Sequence, residues 1–170
     1  MMGAWSDATD GYDESYDFRL PDGFAWGYAG VYHEDHVNGW NGPTGFYKND
    51  MRAPLAPNET KTWDSIYVWS DPNFADPEMA LAMVGNVTAP PPGGWTYRLT
   101  LLAVPKGITG APAVGTTWAV SPEDELLVML PTYTTTNGLT AYRFAFSVTA
   151  SPEPAALALG LLLATVGRRR

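Results

Sequence analysis

Cysteine is absent from the 170 residues, which excludes a disulfide framework, thiolate chemistry and any cysteine-ligated zinc site. Histidine is almost absent too: His33 and His36 are the whole supply, so a Ser-His-Asp arrangement elsewhere in the chain has no imidazole to draw on. There is no Gly-x-Ser-x-Gly elbow and no phosphate-cradling glycine loop. Basic residues are scarce, ten against eighteen acids, for a net charge of −8. The first fifty residues hold nine acids against Arg19 and Lys48. Phosphate contacts need a basic face, so nucleic acid is not an expected partner. Paired carboxylates for glycoside cleavage cannot be picked out from so many acids, and the expected class is not an enzyme.

What the chain does have is aromatic residues, 13% of the total with seven Trp, among 17 Gly and 15 Pro. Its length suits one domain with a real core. Many turns between aromatic and β-branched segments predict an all-β fold. Phe24, Trp26 and Tyr28 alternate with small residues as a first strand, and His33 to Lys48 reads as a loop with several Gly-containing turns. Lys61 to Trp69 follows as a strand, with Trp63, Tyr67 and Trp69 expected on one face and Ile66 and Val68 on the other. Glu78 to Gly85 reads as a strand although Met and Ala favour helix, because turns bound it on both sides. Ala89 to Gly94 carries three consecutive prolines and is a surface connection. Trp95 to Ala103 alternates cleanly, Trp118 and Val120 mark a short strand, and Glu125 to Leu130 reads as a strand buried on both faces. Tyr142, Phe144, Phe146 and Val148 alternate in the last. Seven strands at this spacing predict a two-layer antiparallel β-sandwich, Ig-like or jelly-roll-like, with a short hydrophobic helix at the C-terminal end.

That terminal segment has its own grammar. Pro152-Glu153-Pro154 disfavours helix before it. An apolar run from Ala155 to Val166 then includes Leu157, Leu159, Leu161, Leu162 and Leu163, strong helix formers, and leads to Arg168-Arg169-Arg170. The arginines suit the helix C-terminus and the cytoplasmic side of a bilayer. From Ala155 to Gly167 the helix spans roughly 20 Å, against about 30 Å of hydrocarbon. A core or interfacial helix is therefore the alternative, opposed by apolarity on all sides and by the three charges. This order of parts resembles the PEP-CTERM sorting signal of bacterial exported proteins. The resemblance implies a membrane exosortase that recognises and processes the tail, transit through the inner membrane with the helix in lipid, and a final place at the cell surface or in an extracellular polysaccharide matrix. The domain would then be residues 1–149 and the sorting tail 150–170.

An exported chain is expected to carry a leader. Met1 to Asp7 has neither a basic start nor an apolar stretch, so the expectation is a coding start upstream. Ala8-Thr9-Asp10-Gly11-Tyr12-Asp13 resembles a string in secreted bacterial β-sandwich proteins, where a strand precedes it; here only Met1 to Ser6 remain to form it, a truncated N-terminal strand. Crowded carboxylates repel unless they are solvated or hold a cation, so Asp7, Asp10, Asp13 and Asp17 are candidate calcium ligands, with a solvated acidic turn as the alternative. His33, Asp35 and His36 are a candidate divalent-metal set, with simple exposure as the alternative. Asp50 and Arg52 are placed for a structural contact. Trp40, Tyr47, Trp69 and Trp95 are candidate exposed rings for binding carbohydrate, with packing between the sheets as the alternative.

Overall fold

The computed structural model describes residues 2–4, 6–20, 29–34, 37, 39–70, 78–84, 94–121, 125–133 and 141–151. Among these residues the protein is all-β and contains no helix. Ten strands run in chain order: β1 (Met2–Ala4), β2 (Ala29–His33), β3 (Gly45–Tyr47), β4 (Asp50–Arg52), β5 (Thr60–Val68), β6 (Glu78–Val84), β7 (Trp95–Ala103), β8 (Thr117–Val120), β9 (Glu125–Pro131) and β10 (Tyr142–Ala150). A six-stranded antiparallel sheet has the order β3-β2-β5-β10-β7-β8, while β6 pairs with β9 antiparallel and β1 with β4 in parallel. The C-terminal helix and the strand expected at Phe24 to Tyr28 lie outside the described residues. Among the described residues no helix is long and apolar enough to cross a membrane.

The core follows from alternation. Tyr142, Phe144, Phe146 and Val148 of β10 are buried, as are Leu99 and Leu101 of β7, beside which they pair. The residues between them stay at or near the surface, the pattern of a sheet covered on one face. Val128 and Leu130 of β9 join the same buried cluster, and Met79 and Leu81 of β6 pack against it. The Tyr142 hydroxyl donates to Pro131 O at 2.8 Å, tying the start of β10 to the end of β9.

Two expectations are corrected here. On β5, Trp63 is buried with Ile66 and Val68, while Tyr67 is only half-buried. The β5–β10 register slips between Phe144 and Phe146, so Asp64 and Ser65 both oppose Ala145. This β-bulge inserts one residue and reverses the inside–outside phase, which strict alternation cannot foresee. On β9, only one face is buried: Leu127 and Met129 are 54% and 50% exposed, because no further layer covers them among the described residues. The sequence reading also missed β2, β3 and β4, with β3 inside the expected His33 to Lys48 loop; five residues or fewer are too short to show a period, while β1 falls within Met1 to Ser6 where a truncated strand was expected.

Phe144→Ala is expected to cost about 3–5 kcal/mol through the cavity it leaves. Leu127→Ser, on the open face of β9, should change stability by less than about 0.5 kcal/mol. Urea denaturation of both variants checks the assignment of faces.

Candidate functional site

The bulge also makes a site. β2 pairs with β5 only from Ile66 to Val68. Where the two strands part, a cavity of about 330 Å³ opens, bordered by His33 and Glu34 from β2 and its exit, Trp40, Arg52 of β4, and Asp64 and Ser65 of the bulge. β4 lies alongside and supplies the polar centre.

That centre is Asp50, 1% exposed. One of its oxygens lies 2.8 Å from His33 Nε2, the other 3.4 Å from Arg52 Nε. Burial alone would raise the Asp50 pKa, but the His33 hydrogen bond and the Arg52 charge outweigh it and hold the carboxyl below its ordinary 3.8. An ionised Asp50 only accepts, so the His33 Nε2–H donates and Nδ1 carries the lone pair in the neutral ring. Arg52 also donates to Thr62 O at 3.0 Å, a carbonyl of β5, and its guanidinium lies 4.7 Å from the centre of the Trp63 ring. The Asp50–Arg52 contact expected from sequence is therefore present, and His33 joins it from 17 positions away.

Aromatic rings hold this network in place. Trp40 stacks on His33 with centroids 3.7 Å apart and planes 7° from parallel. Tyr12 and Tyr47 close on Trp40 edge-on, at 5.4 and 4.9 Å. The Tyr12 ring lies where a side chain on buried Gly42 would be, so only glycine fits there. Burial pushes the Tyr47 hydroxyl pKa up, and that hydroxyl donates to Pro43 O at 2.6 Å.

The candidate carbohydrate platforms are thus corrected. Trp40, Tyr47 and Trp69 are buried, at 4%, 0% and 6% exposure, and Trp95 is half-buried. Trp40 and Tyr47 are covered by Tyr12 and by each other, and Trp69 lies against Phe46 and Tyr67. The loop that holds Trp40 in sequence folds it inward.

The acidic N-terminal segment does not gather around a cation either. Asp13 accepts from Thr9 N at 2.5 Å, Asp17 accepts from Asp13 N and Met51 N at 2.7 and 2.9 Å, and Asp10 pairs with the buried Lys61. Asp7 is exposed. These carboxylates close turns and pin the segment onto β4, so backbone amides and Lys61 take the role assigned to calcium. Burial is the main reason the Asp17 pKa is raised. Among the described residues no three His, Asp or Glu side chains form a metal-sized group. Asp35 and His36 lie outside the described residues, and His33 is committed to Asp50.

Chemically the cavity offers carboxylates, hydroxyls and an oriented imidazole beside apolar walls. Ser65 Oγ donates to Asp64 at 3.3 Å, and among the described residues no hydroxyl hydrogen-bonds His33.

Asp50→Asn is expected to destabilise the fold by about 3 kcal/mol at neutral pH, since it leaves Arg52 without its counter-charge and weakens the acceptor of the His33 hydrogen bond. A carboxyl held below its unfolded value contributes stability that is full above 3.8 and lost as pH falls through the lower folded value. The gap between wild type and variant should therefore persist at neutral pH and close only below 3.8, as thermal unfolding at stepped pH will show. Gly42→Ala should cost about 1–3 kcal/mol by forcing Tyr12 off Trp40, read as a lowered Tm and a shifted Trp emission.

No protein-family model, curated protein or solved structure matches this chain.

Proposed function

We propose that this is an exported bacterial protein of structural or interaction type, without catalysis, sorted through the membrane by residues 150–170. The observation that carries the reading is where the sheet stops. β10 is paired with β5 and β7 almost to its end, Ser151 N still donates to Gly94 O at 3.0 Å, and Pro152-Glu153-Pro154 follows at once. Among the described residues the sheet ends immediately before the motif, as a removable tail requires. The six-stranded sheet and the β6–β9 pair form the two layers of a sandwich, a reading supported by the buried cluster to which both contribute among the described residues. An exosortase-type membrane enzyme is the processing partner, and the mature domain works at the cell surface or in the extracellular matrix.

A second reading is favoured by the cavity beside His33. Its carboxylates, hydroxyls and Trp walls suit a small saccharide; of the rings expected from sequence only Trp40 borders it, as a buried wall rather than an exposed platform.

Replacing Pro152, Glu153 and Pro154 with Ala in a bacterium that carries the sorting machinery should leave the full-length chain in the membrane fraction. Wild type should be recovered outside the cell, shorter by the mass of its tail. Identical fractionation of the two would end the sorting proposal. For the cavity, a Trp-emission change on adding simple sugars should be seen in wild type and lost in His33→Ala.

A further inference from the structure

Across β5, β10, β7 and β8 the outer face of the six-stranded sheet is rich in hydroxyls. Thr60, Thr149 and Thr96 stand side by side across β5, β10 and β7, and the next row is Thr62, Ser147, Arg98 and Ala119. Ala145, Thr100 and Thr117 form a third row, and Tyr67, Arg143 and Ala103 a fourth. Cross-strand hydroxyl pairs fix the surface: Thr60 with Thr149 at 2.8 Å and Thr100 with Thr117 at 3.0 Å. Threonine alone is an ordinary choice for a solvated strand face.

The charges are not accounted for in that way. Acids outnumber bases eighteen to ten in the chain, yet β7, β8 and β10 contain no carboxylate at all. Arg98 and Arg143 are both exposed on this face, and neither has an ion-pair partner among the described residues. Asp64 at the bulge is the acid at its rim. A strongly acidic molecule therefore presents a hydroxyl-rich surface whose charges, apart from Asp64 at its rim, are the positive ones of Arg98 and Arg143.

We propose that this face binds an acidic polysaccharide, a polymer of uronate type. Sugar hydroxyls exchange hydrogen bonds with the Thr and Ser rows, and two of its carboxylates pair with Arg98 and Arg143. The arginines lie one strand and four residues apart, about 14 Å at ordinary strand spacings. A uronate polymer, with a carboxylate on each sugar and hydroxyls between, can set two of its carboxylates at that separation while the rest stay in solvent. A nucleic acid, with a phosphate about every 3.4 Å along each strand, would leave most of its charge facing an acidic protein. The aromatic rings on this face, Tyr67 with Tyr32, Phe46 and Trp69, pack on one another toward β2 and β3, away from Arg98 and the threonine rows. The inference rests on the exported reading only for where the polymer would be met.

The test uses the full chain in mild detergent, with polygalacturonate, dextran and duplex DNA as immobilised probes. Wild type should be retained on polygalacturonate at low ionic strength, released by salt, and not retained on dextran or DNA. The double variant R98E/R143E should bind roughly tenfold more weakly with an unchanged Tm, since both side chains are exposed. R98K/R143K, which keeps the charge, should retain most of the binding. Three results would each overturn the proposal: no retention on polygalacturonate, equal retention on dextran or DNA, or an unaffected double glutamate variant. Because these variants leave Pro152-Glu153-Pro154 intact, fractionation of the same strains shows whether sorting fails independently.

Discussion

Tyr142, Phe144, Phe146 and Val148 are buried because β10 has a partner on each side and its inner side chains share one cluster with Leu99, Leu101, Val128 and Leu130. An antiparallel strand paired on both edges satisfies its backbone while its side chains divide cleanly between two environments. Everything else in the molecule is arranged around that division. The inner half collects the aromatic and aliphatic bulk, and the outer half carries threonine, serine and arginine. The sequence after β10 then leaves from the middle of the sheet rather than from a loose edge.

The β5 bulge shows how a local irregularity creates a site. One extra residue at Asp64-Ser65 restores Ile66 and Val68 to the core after Trp63 and coincides with the point where β2 departs. The vacated edge of β5 needs other partners for its backbone. Arg52 supplies one at Thr62 O, and Asp50 holds Arg52 while drawing His33 toward the same point. A cavity with an oriented imidazole is thus a by-product of keeping a strand edge satisfied. The N-terminal acids belong to the same economy: Asp17 caps Met51 N at the centre of β4.

The two candidate surfaces are chemically opposite. The cavity is concave, aromatic-walled and bordered by Glu34 and Asp64; the outer sheet face is hydroxylated and positive at Arg98 and Arg143. A protein of net charge −8 that keeps its acids off three neighbouring strands separates its surface by charge. Such separation suits an interaction protein with more than one kind of contact.

Alternation between neighbouring residues is a local property, and the sequence by itself therefore determined the all-β class and the strands at Trp95–Ala103 and Tyr142–Ala150. The Asp50–Arg52 contact was legible because the two residues are only two positions apart, although the strand that carries them was not. Strand phase across a bulge, the burial of Trp40 and the capture of His33 by Asp50 were decided only in three dimensions. Each depends on which distant segment arrives alongside: β10 opposite Asp64-Ser65, Tyr12 over Gly42, β4 beside β2. A tryptophan in a glycine-rich loop looks the same in sequence whether solvent or Tyr12 covers it. An aspartate reads as a cation ligand until a backbone amide from another strand takes its oxygens, because the partner that settles its role is distant in the chain and near only once the chain has folded.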